Sequence, residues 1–414
     1  MSALYTLKIR IKMKHHFYNL IVLLPFVLLQ VACSLVSSPS NNEDYDLQDH
    51  KSITFNVDSK NVTSPLSTEQ YTIDSVRPII TTDDFGTFDA TKIYVNNKKI
   101  FILDSDIAKT ILVFNLKGQY LYKLGEIGRA KNEYISAPTD FFVSQNGDVH
   151  VFDSAGQKIL IFDKKGNFLK HINIGWVHSF GLTSNGKYVC CLDNRDIPNE
   201  KSDPSLLIYD IKSGSKRNLI SSKHFQCFLD PNRRTFSFND NKLSHVPLLS
   251  DSIIDFKEDV VEKVVRFNFK KGFLPKDKPE WVRLPDNDNE PTGITAGIAN
   301  YPGAFAIYDY QETESLILMR YLDITGKVNW LLNKQSKHIT HGNKLFSDYN
   351  LFNEYYLRGN QIIAFVGKEG VERLKEYCES EEFDKEEYKN MPSFVKAFQT
   401  GKISAPALVY ITIK

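Results

Sequence analysis

The chain predicts a β-propeller built from four-stranded antiparallel blades, on three observations. One pattern is written twice. Ile100-Phe101-Ile102-Leu103-Asp104 is followed by Ile111-Leu112-Val113-Phe114-Asn115 and a turn ending in Gly118; Val149-His150-Val151-Phe152-Asp153 is followed by Ile159-Leu160-Ile161-Phe162-Asp163 and a turn ending in Gly166. Gly166 follows Gly118 by 48 residues, a period typical of repeat architectures whose unit is one small sheet. Finally, the runs are apolar at consecutive positions, as expected of strands covered on both faces by neighbouring blades.

Composition frames the rest. With 414 residues, 42% of them hydrophobic, the chain can bury a large core. Its 51 Lys and Arg nearly balance 50 Asp and Glu, for a net charge of +1. No global field recruits nucleic acid or an anionic surface, so any partner is chosen locally and none is expected to be nucleic acid.

Residues 1–32 read as an export signal. Lys8, Arg10, Lys12 and Lys14 form a basic start, with a second possible start at Met13, and an apolar run from Leu20 to Leu29 interrupted by Pro25 follows. That run is too short for a comfortable membrane span. The following Gln30-Val31-Ala32-Cys33 resembles a bacterial lipobox, with Gln30 where Leu is usual. The resemblance implies cleavage before Cys33, a lipid on its thiol, and an anchored location in the bacterial cell envelope at the outer membrane. Ser34-Leu35-Val36-Ser37 follows, and acidic residues start only at Glu43, which favours the periplasmic side. Residues 33–50 lack apolar periodicity and read as a flexible tether. Of the other cysteines, Cys190 and Cys191 point to opposite faces of a strand. Cys227 and Cys378 have no metal-like spacing, so all four read as free thiols.

The propeller is expected over residues 51–414. Ile53–Val57 alternates as an antiparallel strand should, and Tyr71–Val76 is a second extended segment. In the two clear copies, Asp104 and Asp153 end strands where a carboxylate can accept backbone N–H bonds, and Gly118 and Gly166 supply positive φ for the hairpins. A looser third copy has Tyr188–Asp193 as its inner strand and Leu206–Asp210 with Gly214 as its close; Arg195–Ser205 is an inserted loop. Ile253-Ile254, Val264–Phe267 and Leu316–Met319 with Asp323–Gly326 mark a fourth and a fifth copy, and Gln361–Phe365 begins a sixth. Residues 370–398 are rich in Glu and Lys, with Val371, Leu374 and Tyr377 at helical spacing. They read as one or two surface helices inserted in the last blade. Leu408–Ile413 is a strong final strand, expected to close the ring with an N-terminal segment and so hide an edge.

The segment from Gly125-Glu126-Ile127-Gly128 through Glu133-Tyr134, Pro138, Asn146-Gly147 and Val149–Ser154 to Lys158–Asp163 and Gly166 resembles an NHL repeat, with Arg129–Asn132 replacing that family's glycine-proline-glycine. More broadly, the signal with Cys33, these blades, Ser250–Ile254 with Phe267–Lys271, and the terminal Pro406–Tyr410 resemble the six-bladed, TolB-like β-propeller lipoproteins of Gram-negative gut anaerobes. The resemblance implies six blades.

Chemistry is sparse. Asp286-Asn287-Asp288-Asn289-Glu290 spaces oxygen ligands like a calcium loop, but Pro291 stands where that loop needs Gly and Gly297 where it needs Glu, so it reads as a polar loop. His338 with His341, and His171 with His178, lack a third ligand nearby. Lys270, Lys271, Lys276 and Lys278 around Phe273 read as an exposed loop, with anion binding the alternative. No nucleophile elbow, phosphate loop or dinucleotide fingerprint occurs. The expectation is therefore a lipid-anchored module that binds a protein, peptide or glycan, with no catalytic residue, metal or cofactor assigned and its ligand above the central channel. The alternative is a metal-dependent propeller enzyme, a lyase or a lactonase-like hydrolase, with His, Asp or Glu from several blades converging on the channel.

Overall fold

The computed structural model describes residues 50–414 apart from 58–61, 64, 81–87, 97, 176, 193–202, 223–234, 240–241, 248–249, 278–300, 347–348, 350, 382 and 384. The readings on residues 1–49, on Cys227, on 195–202, on Lys278 and on 286–290 lie outside the described residues.

Six sheets follow one another round a ring. The chain opens with β1 (Ser52–Asn56), β2 (Val62–Thr63) and β3 (Tyr71–Pro78), each of which joins a blade formed much later. Blade 1 is β4 (Lys92–Val95), β5 (Lys99–Asp104), β6 (Thr110–Asn115) and β7 (Tyr120–Leu124). Blade 2 is β8 (Asp140–Val143), β9 (Val149–Asp153), β10 (Lys158–Phe162) and β11 (Phe168–Asn173). Blade 3 is β12 (Val177–Leu182), β13 (Tyr188–Leu192), β14 (Asp203–Tyr209) and β15 (Lys216–Ser222). Blade 4 is β16 (Phe236–Asn239), β17 (Lys242–His245), β18 (Ser252–Lys257) and β19 (Val260–Asn268), with β1 parallel outside β19. Blade 5 is β20 (Ala306–Glu312), β21 (Leu316–Asp323), β22 (Gly326–Asn333) and β23 (Ile339–Gly342), with β2 parallel outside β23. Blade 6 is β24 (Phe352–Arg358), β25 (Gln361–Val366) and β26 (Ala407–Ile413), closed by β3. Innermost β24 packs beside innermost β4. Every described strand of the ring lies between Ser52 and Ile413, and β3 pairing with β26 closes it within that range.

The consecutive apolar runs follow from this arrangement. Ile100 and Ile102 pack towards blade 6, against Ile363 and Phe365, while the intervening Phe101 and Leu103 pack towards blade 2, against Phe141 and Val151. In β26, Val409 and Ile411 face blade 5 and Leu408 and Tyr410 face blade 1. Burying each such side chain contributes about 1.5–3 kcal/mol, and a strand that serves two interfaces has no polar face to display.

The strand-end carboxylates act as the sequence suggests. Asp104 accepts backbone N–H bonds from Asp89, Asp106, Ile107 and Ala108 at 2.8–3.1 Å, and Asp153 accepts from Ile135 and Gly156. Gly118 and Gly166 have φ of +80° and +90°, and both are also close-approach sites. A Cβ at Gly118 would stand 2.2 Å from the carbonyl oxygen of Pro78, and one at Gly166 would meet the Tyr122 ring of the preceding blade at 2.7 Å.

Several details differ from the sequence reading. Ile53–Val57 contributes a parallel edge strand, because any extended segment can pair with an open blade edge and alternation does not specify direction. Tyr188–Leu192 is the second strand of blade 3, whose inner strand is the more polar Val177–Leu182. Blade 6 begins at Phe352, ahead of Gln361. The insertion holds three short helices, 368–379, 385–390 and 393–399, between β25 and β26. It is more than a solvated cover, since Leu374, Phe394, Val395 and Phe398 are buried in the core shared by blades 5 and 6.

Connections sort by end. The hairpin turns that join the first strand to the second, and the third to the fourth, take two to six residues and lie at one end of the ring. The opposite end holds the longer described connections, including 125–139 and the helices between β25 and β26.

Candidate functional site

The channel is bounded by the six innermost strands. Lys92 opens β4 and Asp140 opens β8, so adjacent blades bring an ammonium and a carboxylate together at the long-connection end. Lys92 Nζ donates to Asp140 Oδ1 at 2.6 Å and to the Phe141 carbonyl at 2.8 Å, and it sits 4.0 Å from the Phe142 ring centroid. Carboxylate, carbonyl and ring face together compensate a cation that has little contact with water.

Deeper, Lys92, Tyr94, Phe142, Phe238, Gln311 and Tyr356 enclose a void of about 20 Å³. That volume holds about one water, so side chains plug the channel at this level. The Tyr94 and Tyr356 rings meet edge to face at 5.4 Å, and burial raises the Tyr94 pKa. Amide side chains tie the plug together. Gln311 donates to the Tyr355 carbonyl at 2.9 Å and accepts from Leu357 N at 2.9 Å, and Asn239 donates to the Leu357 carbonyl at 2.8 Å.

Two buried ionic groups flank the plug. Arg320 on β21 reaches Asp309 on β20 at 2.7 Å and Glu354 on β24 at 3.0 Å. Its guanidinium is buried, yet its pKa stays well above the usual value because two carboxylates face it. Between blades 4 and 5, Glu312 is held by Lys242 at 2.5 Å, Lys263 at 3.1 Å and Lys334 at 2.6 Å. Although burial opposes ionisation, the three ammonium groups hold its carboxyl well below the ordinary range, while burial raises the neighbouring Asp255.

The residues singled out in sequence do not converge. His338 pairs with Gln70 at 2.8 Å and His341 with Tyr321 at 2.7 Å. His171 lies on outer strand β11 and His178 on inner strand β12. Phe273 is buried, while Lys270, Lys271 and Lys276 are exposed, with Lys276 contacting Asp251 at 3.2 Å. Cys190, Cys191 and Cys378 are free thiols. Burial lifts the Cys190 thiol to about 12. Among the described residues no group of three or more His, Cys, Asp or Glu stands where it could hold a metal ion, and no helix is long and apolar enough to cross a membrane. Arg320, Gln311 and Asn239 gave no sequence signal beyond being polar residues within or beside apolar runs.

Comparison with known sequences places the chain in a family. The chain belongs to the family described as Domain of unknown function (DUF4934), whose profile matches residues 52–400. No curated protein matches it. Among solved structures, a Bacteroides fragilis protein named "Putative exported protein" is similar to it, with a TM-score of 0.65 and 18% identity over 88% of this chain and all of that one; this likeness concerns the fold. A DUF4221 family member from Bacteroides vulgatus aligns with a TM-score of 0.46 and 10% identity over 83% of this chain and 97% of that one. Virginiamycin B lyase from Staphylococcus aureus aligns with a TM-score of 0.37 and 14% identity over 73% of this chain and 83% of that one.

Proposed function

We propose that this DUF4934 protein is a lipid-anchored propeller of the bacterial cell envelope, held in the outer membrane through Cys33, which presents a binding face for a protein, peptide or glycan at its long-connection end. The observation that carries this reading is the plug. Among the described residues, aromatic rings and one compensated lysine leave room for only about 20 Å³ at the inner strands, which supports recognition of a ligand by the connections above them. Those connections differ in length and composition from blade to blade, as recognition loops on a rigid scaffold do. The mixed aromatic and polar rim supports binding over turnover.

Two measurements test the reading. Expressed in its host, the full chain should be recovered in the membrane fraction with a mass increase that Cys33→Ser abolishes; a Cys33→Ser chain equally membrane-bound and of unchanged mass relative to wild type refutes the anchor. Glycan and peptide libraries screened by thermal shift should yield a ligand whose affinity falls at least ten-fold in Arg129→Glu/Lys131→Glu, two exposed positions in the 125–139 connection. A ligand that binds this variant unchanged but is lost when hairpin-turn lysines are reversed would overturn the assignment of the face.

A further inference from the structure

We propose that the opposite, hairpin-turn end of blades 1–3 is a docking face for an anionic lipid surface. This inference rests on the anchored reading above and adds how the domain lies once anchored. The eleven hairpin turns, each taken with the strand residue on either side, carry thirteen Lys or Arg against eight Asp or Glu. The imbalance is confined to half the ring. Blades 1–3 contribute eight Lys and three Asp, while blades 4–6 contribute five cations and five anions. In a chain whose overall net charge is +1, this is a local concentration.

Six of the eight lysines are displayed, while Lys99 and Lys187 are half-buried and Lys187 is paired with Asp259. Lys98, Lys117, Lys164, Lys165, Lys212 and Lys216 are exposed. The three opposing carboxylates are turned into their own turns. Asp163 accepts from Lys165 N and Asn167 N, and Asp210 from Lys212 N and Ser213 N, which lowers both pKa values; Asp148 accepts from Asn146. The turns of blades 1 and 2 are in contact, since Tyr122 of blade 1 donates to the Lys164 carbonyl of blade 2 at 2.9 Å.

A further observation specifies a lipid surface over a soluble anion. Leu121 and Leu169, the second residues of β7 and β11, are 42% and 52% exposed beside these lysines, and Ile80, whose N–H bonds to the Gly118 carbonyl, is 56% exposed. Basic residues interleaved with exposed branched aliphatics suit a headgroup layer, where charge attracts and apolar groups enter the acyl boundary. In addition, β1 starts alongside Val264, midway along β19, and runs away from the hairpin-turn end, so the chain reaches blade 4 from that end. Blade 4 adjoins this patch, with Lys187 of blade 3 reaching Asp259 of blade 4 at 2.8 Å.

The test uses residues 50–414, which carry neither signal nor lipid, so its outcome is independent of lipidation at Cys33. Co-sedimentation is measured with phosphatidylcholine vesicles containing roughly one-third phosphatidylglycerol and with pure phosphatidylcholine vesicles, at low and high salt; electrostatic attraction of this kind is screened by salt. The expected result is binding to anionic vesicles only, weakened at least ten-fold by high salt and at least ten-fold in Lys117→Glu/Lys164→Glu/Lys165→Glu/Lys212→Glu, with an unchanged melting temperature. Leu121→Ser/Leu169→Ser should weaken binding several-fold at fixed charge, and Arg129→Glu/Lys131→Glu at the other end should not. Equal binding to neutral vesicles, full binding by the lysine variant, or equal loss in the Arg129 variant would each overturn the proposal. So would equally tight, lysine-dependent binding to duplex DNA, which would make the patch a general polyanion site.

Discussion

His150 offers a direct measurement of how tightly the blades are joined. It lies on β9 of blade 2, is 8% exposed, and shares a 2.7 Å hydrogen bond through Nδ1 with the hydroxyl of Tyr188 on β13 of blade 3. Burial, with a smaller contribution from Lys170, lowers its pKa from 6.5 to about 4. The unfolded chain therefore takes up a proton between those values while the folded chain does not, so the stability contributed by the neutral ring is present above pH 6.5 and is lost as pH falls towards 4. Linkage puts the loss at about 1.4 kcal/mol at pH 5.5 and about 2.5 kcal/mol at pH 4.5, approaching about 3.4 kcal/mol below that.

The assay is urea unfolding of residues 50–414 at pH 7.5, 5.5 and 4.5, for wild type and His150→Gln. Glutamine keeps an acceptor for Tyr188 and does not titrate. Carboxylates also shed stability in this range, but they do so in both proteins, and the difference between the two curves isolates the imidazole. Wild type should lose about 2.5 kcal/mol more than the variant between pH 7.5 and 4.5. A difference between the curves that stays constant across pH would refute both the burial and the neutrality of the ring.

Two other perturbations separate packing from polar pairing. Arg320→Met leaves Asp309 and Glu354 buried without their cation and should cost about 3–5 kcal/mol. Adding Asp309→Leu and Glu354→Gln should recover a large part of it, as read by the same urea curves, and no recovery would mean that Arg320 acts through its stem alone. Gly118→Ala and Gly186→Ala start from nearly the same φ, +80° and +82°, but nothing lies within 4 Å of a Cβ at Gly186, whereas the Pro78 carbonyl oxygen is 2.2 Å from one at Gly118. Gly186→Ala should therefore cost about 1–2 kcal/mol, from φ alone, and Gly118→Ala clearly more; equal melting temperatures would refute the close approach.

What the sequence reveals and what it hides follow one physical rule. The second and third strands of a blade are sandwiched by neighbours, so Ile100–Asp104 and Ile159–Phe162 announce themselves. Innermost strands border the channel and hold the ring together with polar side chains, so they read as something else. In sequence, blade 6 reads as beginning at Gln361 because Phe352–Arg358 contains Asn353, Glu354 and Arg358, and the partner that makes Glu354 tolerable, Arg320, comes from a different blade. Val177–Leu182 reads less like a strand than Tyr188–Leu192 because His178, Ser179 and Gly181 dilute its apolar character. Asp309, Gln311 and Glu312 likewise sit in an inner strand, and nothing in their spacing reveals that each is paired. The three helices of the insertion follow the same logic in reverse: charge dominates residues 368–390, while the anchoring Phe394 and Phe398 lie in the short last helix.

The plug also bears on how the two proposed faces relate. If the channel were open, a ligand above it could reach, or electrostatically sense, the hairpin-turn end. With room for about one water and with Gln311 and Asn239 bonding the inner strands to each other, the ends are separated by packed side chains that have no second arrangement on view. Coupling between distant sites requires an element with two states that both sites bias, and the described interfaces are apolar layers joined by the Arg320 and Glu312 ion groups. The lysine variant that abolishes vesicle binding should then leave affinity for a long-connection ligand within about two-fold. A larger change would point to movement between blades, and the first place to look would be the Arg320 and Glu312 ion groups, where charge joins blade 5 to its neighbours beside the apolar layers.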